Sequence, residues 1–359
     1  MQSNAYWAWL ACIPGITPKL YYQILREYGT PQRFFAAAEW GTALPDFLPD
    51  RVKDAMFAAA SSTRVAEVAR ELSHKSIRAV TRLDEEYPES LNSIEYPPPV
   101  LFVRGSLMGL DKTIGIVGTR RCTRRGAEAA KVIAADLGKA GYTIVSGMAR
   151  GIDSAAHSGA IEAGTPTVAV LGCGVDVVYP AENLRIYDAA VQNGAVISEL
   201  PPGTQPLAAN FPVRNRIIAA LSRGLLVAES ALSGGTAITA SMAIGMGRDI
   251  FAMPGPPYNE NAALPNQLIQ KGAVSVTCAH DILKYWGEAS PEAHPELTGV
   301  PVQLDFLQQQ IYTLLRQADM SAEMLSEQTD ASPGEMSVAL TMMELMGIIK
   351  RVPGGKYGV

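Results

Sequence analysis

From residue 113 onward the chain repeats one pattern: a short β-branched or aliphatic run, then a stretch long enough for a helix. The runs fall at 114–117, 143–145, 167–171, 195–198, 225–228, 250–253 and 274–277. Strands that alternate with helices cannot pair as hairpins, because each helical crossover brings the next strand in parallel. A sheet covered by helices on both faces has strands that are apolar throughout, as Ile114-Gly-Ile-Val117 and Thr167-Val-Ala-Val170 are. The pattern predicts an α/β unit with a Rossmann-like, doubly wound, mostly parallel sheet. A further strand, Val100-Leu-Phe-Val103, follows the run Pro97-Pro98-Pro99.

The flanking segments read differently. Residues 1–73 are helical without strand alternation and are expected to form a SAM-like helical domain. Its turn Ile13-Pro14-Gly15-Ile16-Thr17 resembles a helix-hairpin-helix, whose glycine presents backbone N–H groups to a phosphate. Thr17 stands where such a hairpin usually has a second glycine, so packing is the preferred role. The Rossmann-like domain is expected over 74–285, with 74–112 as an N-terminal extension and 286–302 as an acidic, proline-containing linker. Residues 303–359 read as a winged helix: helices at 305–317 and 322–328, and a third that Ser332-Pro333-Gly334-Glu335 opens and Gly347 stops. Two short strands around Pro353-Gly354-Gly355 complete it.

Composition sets outer limits. With 48% apolar and 18% charged residues the chain is globular, neither disordered nor of low complexity. No apolar run approaches the ~18–20 residues of a membrane span. The segment Met1-Gln-Ser-Asn-Ala-Tyr-Trp7 lacks the basic and apolar regions of a secretory signal. Cys12, Cys122, Cys173 and Cys278 share no C-x-x-C spacing, so reduced, buried thiols are expected rather than zinc or disulfides. A cytoplasmic protein with no membrane contact is the expectation.

The unusual residues sit just after the strands. Gly118-Thr119-Arg120-Arg121 follows the first run, and Ser146-Gly147-Met148-Ala149-Arg150-Gly151-Ile152-Asp153 the second. Phe211-Pro-Val-Arg214-Asn215-Arg216, Ser233-Gly234-Gly235-Thr236 and Pro254-Gly255 come later. In an open α/β sheet such tips share the carboxyl edge, where ligands bind. Small residues there let backbone amides approach a ligand, helix N-termini favour an anion, and arginines add bidentate donors. The set points to a phosphorylated or polyanionic ligand. Neither Gly-x-x-x-x-Gly-Lys-Ser/Thr nor Gly-x-Gly-x-x-Gly occurs, which disfavours P-loop hydrolases and dinucleotide enzymes. Asp153 and His157, one helical turn apart, read as an acid–base pair or, preferably, a structural hydrogen bond. No catalytic residue, metal site or cofactor is expected.

The ordered set Val117-Gly-Thr-Arg120, Ser146 to Asp153, Phe211-Pro-Val-Arg-Asn-Arg-Ile-Ile218, Ser233-Gly-Gly-Thr236 with Thr239-Ala240, and Phe251-Ala-Met-Pro-Gly255 resembles the DprA/Smf family of bacterial DNA-processing proteins. Asn266-Gln-Leu-Ile269 and Lys271-Gly-Ala273 fit as well. The resemblance spans roughly 83–283. It implies non-catalytic single-stranded DNA binding, homodimerisation through the Rossmann-like domain, and loading of RecA recombinase during natural transformation. Carried onto this chain, Arg120 would hold a phosphate with Gly118, Thr119, Ser146 and Gly147 nearby. Arg121, Arg150, Gly151 and the turn Ser233-Gly234-Gly235-Thr236 would belong to the same site. Arg214, Asn215 and Arg216 would line the groove and Lys271 would extend it. Phe211 is either a base-contacting ring or a core residue before a proline. The loop ending at Thr239 departs from the Ser-Gly-Ser-Leu-Ile-Thr of many relatives.

The net charge of −5 seems to argue against nucleic acid, yet it is an average. Residues 110–280 hold 14 basic and 12 acidic side chains, whereas 303–359 hold 4 and 7. Arg120, Arg121, Arg124 and Arg125 concentrate the positive charge. The third helix of the winged helix has no Lys or Arg, so a protein partner is expected for it rather than duplex DNA. The competing function is a nucleoside-monophosphate phosphoribohydrolase-like enzyme, with Ser233–Thr236 on phosphate and Glu229 as acid. Those enzymes carry a Pro-Gly-Gly-x-Gly-Thr loop that this chain lacks in part.

Overall fold

The computed structural model describes residues 2–40, 44–109, 111–288, 304–316, 318–329, 331–346, 348–352 and 354–358, in two compact units divided near residue 292. The first unit opens with α1 (Gln2–Ala11), α2 (Pro18–Tyr28), α3 (Pro31–Glu39), α4 (Asp50–Ala59) and α5 (Ser62–His74). It continues with β1 (Arg78–Thr81), β2 (Val100–Gly105), β3 (Thr113–Val117), α6 (Arg124–Lys139), β4 (Thr143–Ser146), α7 (Ile152–Glu162) and β5 (Thr167–Val170). Then follow α8 (Leu184–Gln192), β6 (Gly194–Ser198), α9 (Asn210–Leu221), β7 (Gly224–Val227), α10 (Gly235–Gly245), β8 (Asp249–Ala252), α11 (Ala263–Gln270), β9 (Val274–Ser275) and α12 (Ala279–Tyr285).

The strands form one sheet in the order β1-β2-β6-β5-β4-β3-β7-β8-β9. All neighbours from β6 to β9 are parallel, and only β2 runs against the rest, since β1 is antiparallel to β2 and so points with the others. The chain steps outward from β3 through β4 and β5 to β6, then returns to lay β7 on the other side of β3. That reversal is the topological switch point of a doubly wound sheet, and it places a crevice beyond the tips of β3 and β7. Both faces are covered: Val117, Val145 and Leu225 pack under α9, α10 and α11, while Ile114, Ile116 and Ile144 pack under α6, α7 and α12. β1 was not read from the sequence, and the last expected strand, 274–277, is ordered as strand only over Val274–Ser275.

The N-terminal helices share a core with the sheet, in which Trp7, Trp9, Tyr21, Phe34 and Phe35 meet Val100 and Phe102 of β2. Thr17 caps α2 by accepting from the Leu20 amide, and Gly15 lies against Val52 of α4. At the other end, Trp286 stacks on Tyr142 with ring centroids 5.1 Å apart, and Glu288 accepts from Lys112. The expected linker therefore begins on the surface of this unit, and its residues 289–302 lie outside those described.

The second unit contains α13 (Phe306–Leu315), β10 (Met320–Ser321), α14 (Ala322–Thr329), α15 (Pro333–Leu345), β11 (Lys350–Val352) and β12 (Lys356–Gly358). Ser332 and Glu335 form the expected reciprocal cap of α15. β10 joins the terminal hairpin to give a three-stranded sheet, completing a winged helix. Gly347 and Pro353 lie outside the described residues. The outer side of α15 exposes Val338, Met342 and Leu345.

Candidate nucleic-acid interface

The crevice at the switch point is an open cleft of about 610 Å³. Its floor is backbone. A Cβ on Gly118 would stand 2.5 Å from Ile152 Cγ1 and 2.8 Å from the Glu229 carbonyl, so only glycine fits. Gly151 has φ +78° and presses on the Thr119 carbonyl, which a side chain there would strike. These two glycines seat the β3–α6 and β4–α7 turns directly on each other. Gly234, with φ +122°, lets the β7–α10 loop present the N-terminus of α10 to the same space.

One wall is the first turn of α9. Arg214 is almost wholly buried, yet it is tied down by the Gly147 carbonyl at 2.8 Å, the Val170 carbonyl and Asn215 Oδ1. Asn215 in turn donates to the Gly235 carbonyl, linking α9 to the mouth of α10. Phe211 packs its ring against Gly172 and has two cations close by: the Arg120 guanidinium is 5.4 Å from the ring centroid and that of Arg214 is 5.7 Å. Tyr179 adds a tilted ring at 5.7 Å. Arg120 and Arg121 are exposed and make no ion pair among the described residues. The rim therefore carries positive charge that no ion pair neutralises among the described residues.

Beneath the cleft lies a buried polar cluster that holds the β4–α7 turn. Met148 adopts φ +58°, a strained value for a side-chain-bearing residue. Its amide donates to His157 Nε2 at 3.3 Å and its carbonyl accepts from Asn183 at 2.8 Å. Thr167 gives its hydroxyl proton to the Ile144 carbonyl, so at the 2.7 Å contact His157 Nδ1 must be the donor. The imidazole is thus neutral, and burial, with the Arg214 charge adding, pulls its pKa down to about 3. Burial pushes the Asp153 carboxyl up to about 6 against the opposing pull of Arg214 and of backbone amides. Burial also draws Arg214 down to about 10, with Asp153 opposing. His157 and Asp153 spend their hydrogen bonds on different partners, so the two are not an acid–base dyad.

Of the residues singled out in the sequence, Gly118, Thr119, Arg120, Arg121, Phe211, Arg214, Asn215, Ser233, Gly234, Gly235 and Thr236 line the cleft. Gly147 and Gly151 shape it from behind, and Arg150 borders an adjoining recess while pairing with Glu182. Three do not belong. Ser146 is fully buried and donates to the Ile116 carbonyl at 2.6 Å. Arg216 points away and pairs with Glu199, because positions two apart on a helix diverge by roughly 200°. Lys271 follows α11 and precedes β9, which puts it at the amino edge, opposite the cleft. Glu229 does not line the cleft either: it accepts from the Thr123 amide at 2.7 Å and the Thr123 hydroxyl at 2.6 Å. Tyr179 and Thr239 also line the cleft; Thr239 belongs to the sequence pattern with no site role given to it, and for Tyr179 an aromatic before Pro180 in the loop after a strand is the available signal. Among the described residues no cluster of His, Cys, Asp and Glu could hold a metal, and no helix is long and apolar enough to cross a membrane.

Fold and cleft together define a doubly wound α/β protein with its ligand crevice at the carboxyl edge, joined to a winged-helix unit. Residues 78–287 match the DNA recombination-mediator protein A family and 294–355 the DprA winged helix domain; the chain belongs to that family. It is 43% identical to the DNA processing protein DprA of Streptococcus pneumoniae, over 56% of this chain and 71% of that one. It is 36% identical to Protein Smf of Escherichia coli, over 76% and 74%. The X-ray structure of the S. pneumoniae protein superposes with a TM-score of 0.68 at 33% identity, covering 78% of this chain and 97% of that one. A Helicobacter pylori DNA processing protein A, described for its single-stranded DNA binding mode, superposes with a TM-score of 0.55 at 26% identity, covering 60% and 98%.

Proposed function

We propose that the cleft holds single-stranded DNA without transforming it, and that the bound strand is delivered to RecA recombinase in DNA processing and natural transformation. One observation carries the binding reading: the half-buried Phe211 ring has the Arg120 and Arg214 guanidinium groups 5.4 and 5.7 Å from its centroid, beside a rim of unpaired arginine. An unpaired base stacks on such a ring whatever its sequence, while Arg120 and the glycine-turn amides take the adjoining phosphate. The engagement of Glu229 by Thr123 gives no support to the phosphoribohydrolase reading. The recombinase partner, the homodimer through the Rossmann-like domain, a protein partner for the winged helix and a cytoplasmic location are proposed with it, as is the division at 73/74, 285/286 and 302/303.

The test is a mobility-shift titration of single-stranded DNA at two salt concentrations. Binding should exceed that of duplex and fall steeply with salt as phosphate contacts release counterions. Arg120→Ala should weaken it on the order of tenfold or more, with little dependence on sequence. Unchanged binding would remove Arg120 from the site, and base release from a nucleoside monophosphate would favour the enzyme.

A further inference from the structure

Tyr258 is 102% exposed, the barest of the large apolar side chains described. It does not sit on a slack segment. The loop between β8 and α11 is clamped at its start by Asn266, which accepts from the Gly255 amide at 3.1 Å and donates to the Gly255 carbonyl at 2.9 Å. Near its end the Asn261 amide donates to Asn259 Oδ1 at 3.0 Å, and Asn261 Nδ2 reaches the Arg121 carbonyl at 2.9 Å. The Asn261 carbonyl accepts from Ser230, a cleft residue, at 2.6 Å. Tyr258 is three residues from Asn261, so its Cα lies within about 11 Å of that anchor. The backbone that carries the ring is therefore braced beside the cleft, so little of the loop's own ordering is left for binding to supply.

The charge beside it is equally unspent. Arg121, Arg124 and Arg125 are exposed and form no ion pair among the described residues, whereas Arg78, Arg150 and Arg223 each hold a glutamate. Three arginines within five residues of chain repel one another unless an anion joins them. Two exposed acids stand against these three, Glu260 on the same loop and Glu128 one helical turn along α6 from Arg124.

We propose that the DNA path does not end in the cleft but crosses this shoulder, with a base stacked on Tyr258 and phosphates held by Arg121 and Arg124. The inference rests on the single-stranded DNA reading of the cleft and adds a second subsite to it. An aromatic platform flanked by guanidinium groups suits unpaired bases and is indifferent to sequence.

The experiment uses the full chain and two oligothymidylates, of about six and about twenty nucleotides, bracketing the usual span of single-strand sites. Tyr258→Ala should leave the short oligonucleotide bound as in wild type and weaken the long one about tenfold, with Tyr258→Phe restoring it. Arg124→Gln should flatten the salt slope for the long oligonucleotide by about 0.7. Glu260→Gln should tighten the long one alone. Wild-type binding of both lengths with Tyr258→Ala indistinguishable on each would overturn the shoulder and leave the cleft standing. If wild type binds neither, both readings fall. If Tyr258→Ala instead changes the sedimentation coefficient of the free protein, the ring is covered by a second copy and the shoulder is wrong.

Discussion

Replacing Arg214 by methionine removes a buried cation while nearly keeping its volume. The Gly147 and Val170 carbonyls lose a donor, Asn215 loses its fixed partner, and Asp153 is left without the guanidinium that holds its carboxyl down. A buried charge stripped of its counter-charge costs about 3–5 kcal/mol, which is the upper bound on the loss at pH 8, since Asp153 escapes part of it by taking up a proton. The penalty depends on Asp153 being ionised. Its carboxyl already sits at about 6 with Arg214 present, and rises further without it. As the pH falls to 5 the variant's Asp153 takes up a proton and the difference from wild type shrinks. Urea unfolding followed by tryptophan fluorescence isolates the relevant unit, since Trp7, Trp9, Trp40 and Trp286 all lie in it. A loss below about 1 kcal/mol, or one that is flat from pH 5 to 8, would refute the reasoning. The same variant should bind single-stranded DNA more weakly, because one of the two cations against Phe211 is gone.

Gly151→Ala forces a Cβ into the Thr119 carbonyl at a positive φ, and should cost about 1–3 kcal/mol and weaken DNA binding by shifting Arg120. Calorimetry and a binding titration on the same sample check both effects. Lys271→Ala and Arg216→Met should leave DNA affinity within twofold, since neither side chain lines the cleft, but the second should lower stability by leaving Glu199 buried and alone. A large affinity loss in either would put the groove elsewhere. His157, held down to about 3 in the fold, contributes stability that is present above its unfolded value near 6.5 and is lost as pH falls toward 3. Asp153 works in the opposite sense, its contribution declining as pH rises from about 4 to 6. Acid unfolding of His157→Gln beside wild type should show the histidine's share as a shallower descent between pH 6 and 4.

Local regularities were legible in the sequence and distant meetings were not. The parallel sheet, the tips of β3, β4 and β7, and the cap of α15 follow from periodicity and from glycine at turns, all of which act within a few residues. β10 escaped because a strand of two residues carries no pattern, and β1 because Arg78-Ala-Val-Thr81 opens on an exposed arginine and is buried only over its second half. Phe211 stayed ambiguous because its partners, Arg120 and Gly172, come from other segments. The misplacements of Arg216 and Lys271 came from treating neighbours in sequence as neighbours in space. A helix turns roughly 100° per residue, and a crossover helix carries its far end to the opposite edge of the sheet. Ser146 was assigned a ligand role that its strand denies it, since every residue of β4 is buried.

The floor of the cleft is made of peptide atoms, which every residue type possesses. The residues whose identity keeps those amides facing the crevice, Gly118, Gly151 and Gly234 together with the buried His157, Asn183 and Arg214, are all set back from the rim. Rim residues such as Arg120, Arg121, Tyr179 and Thr236 can therefore drift in size and charge while the support beneath them keeps its shape. Adaptation to a different strand length, base preference or salt regime can proceed by rim substitutions alone, leaving the fold's stability almost untouched.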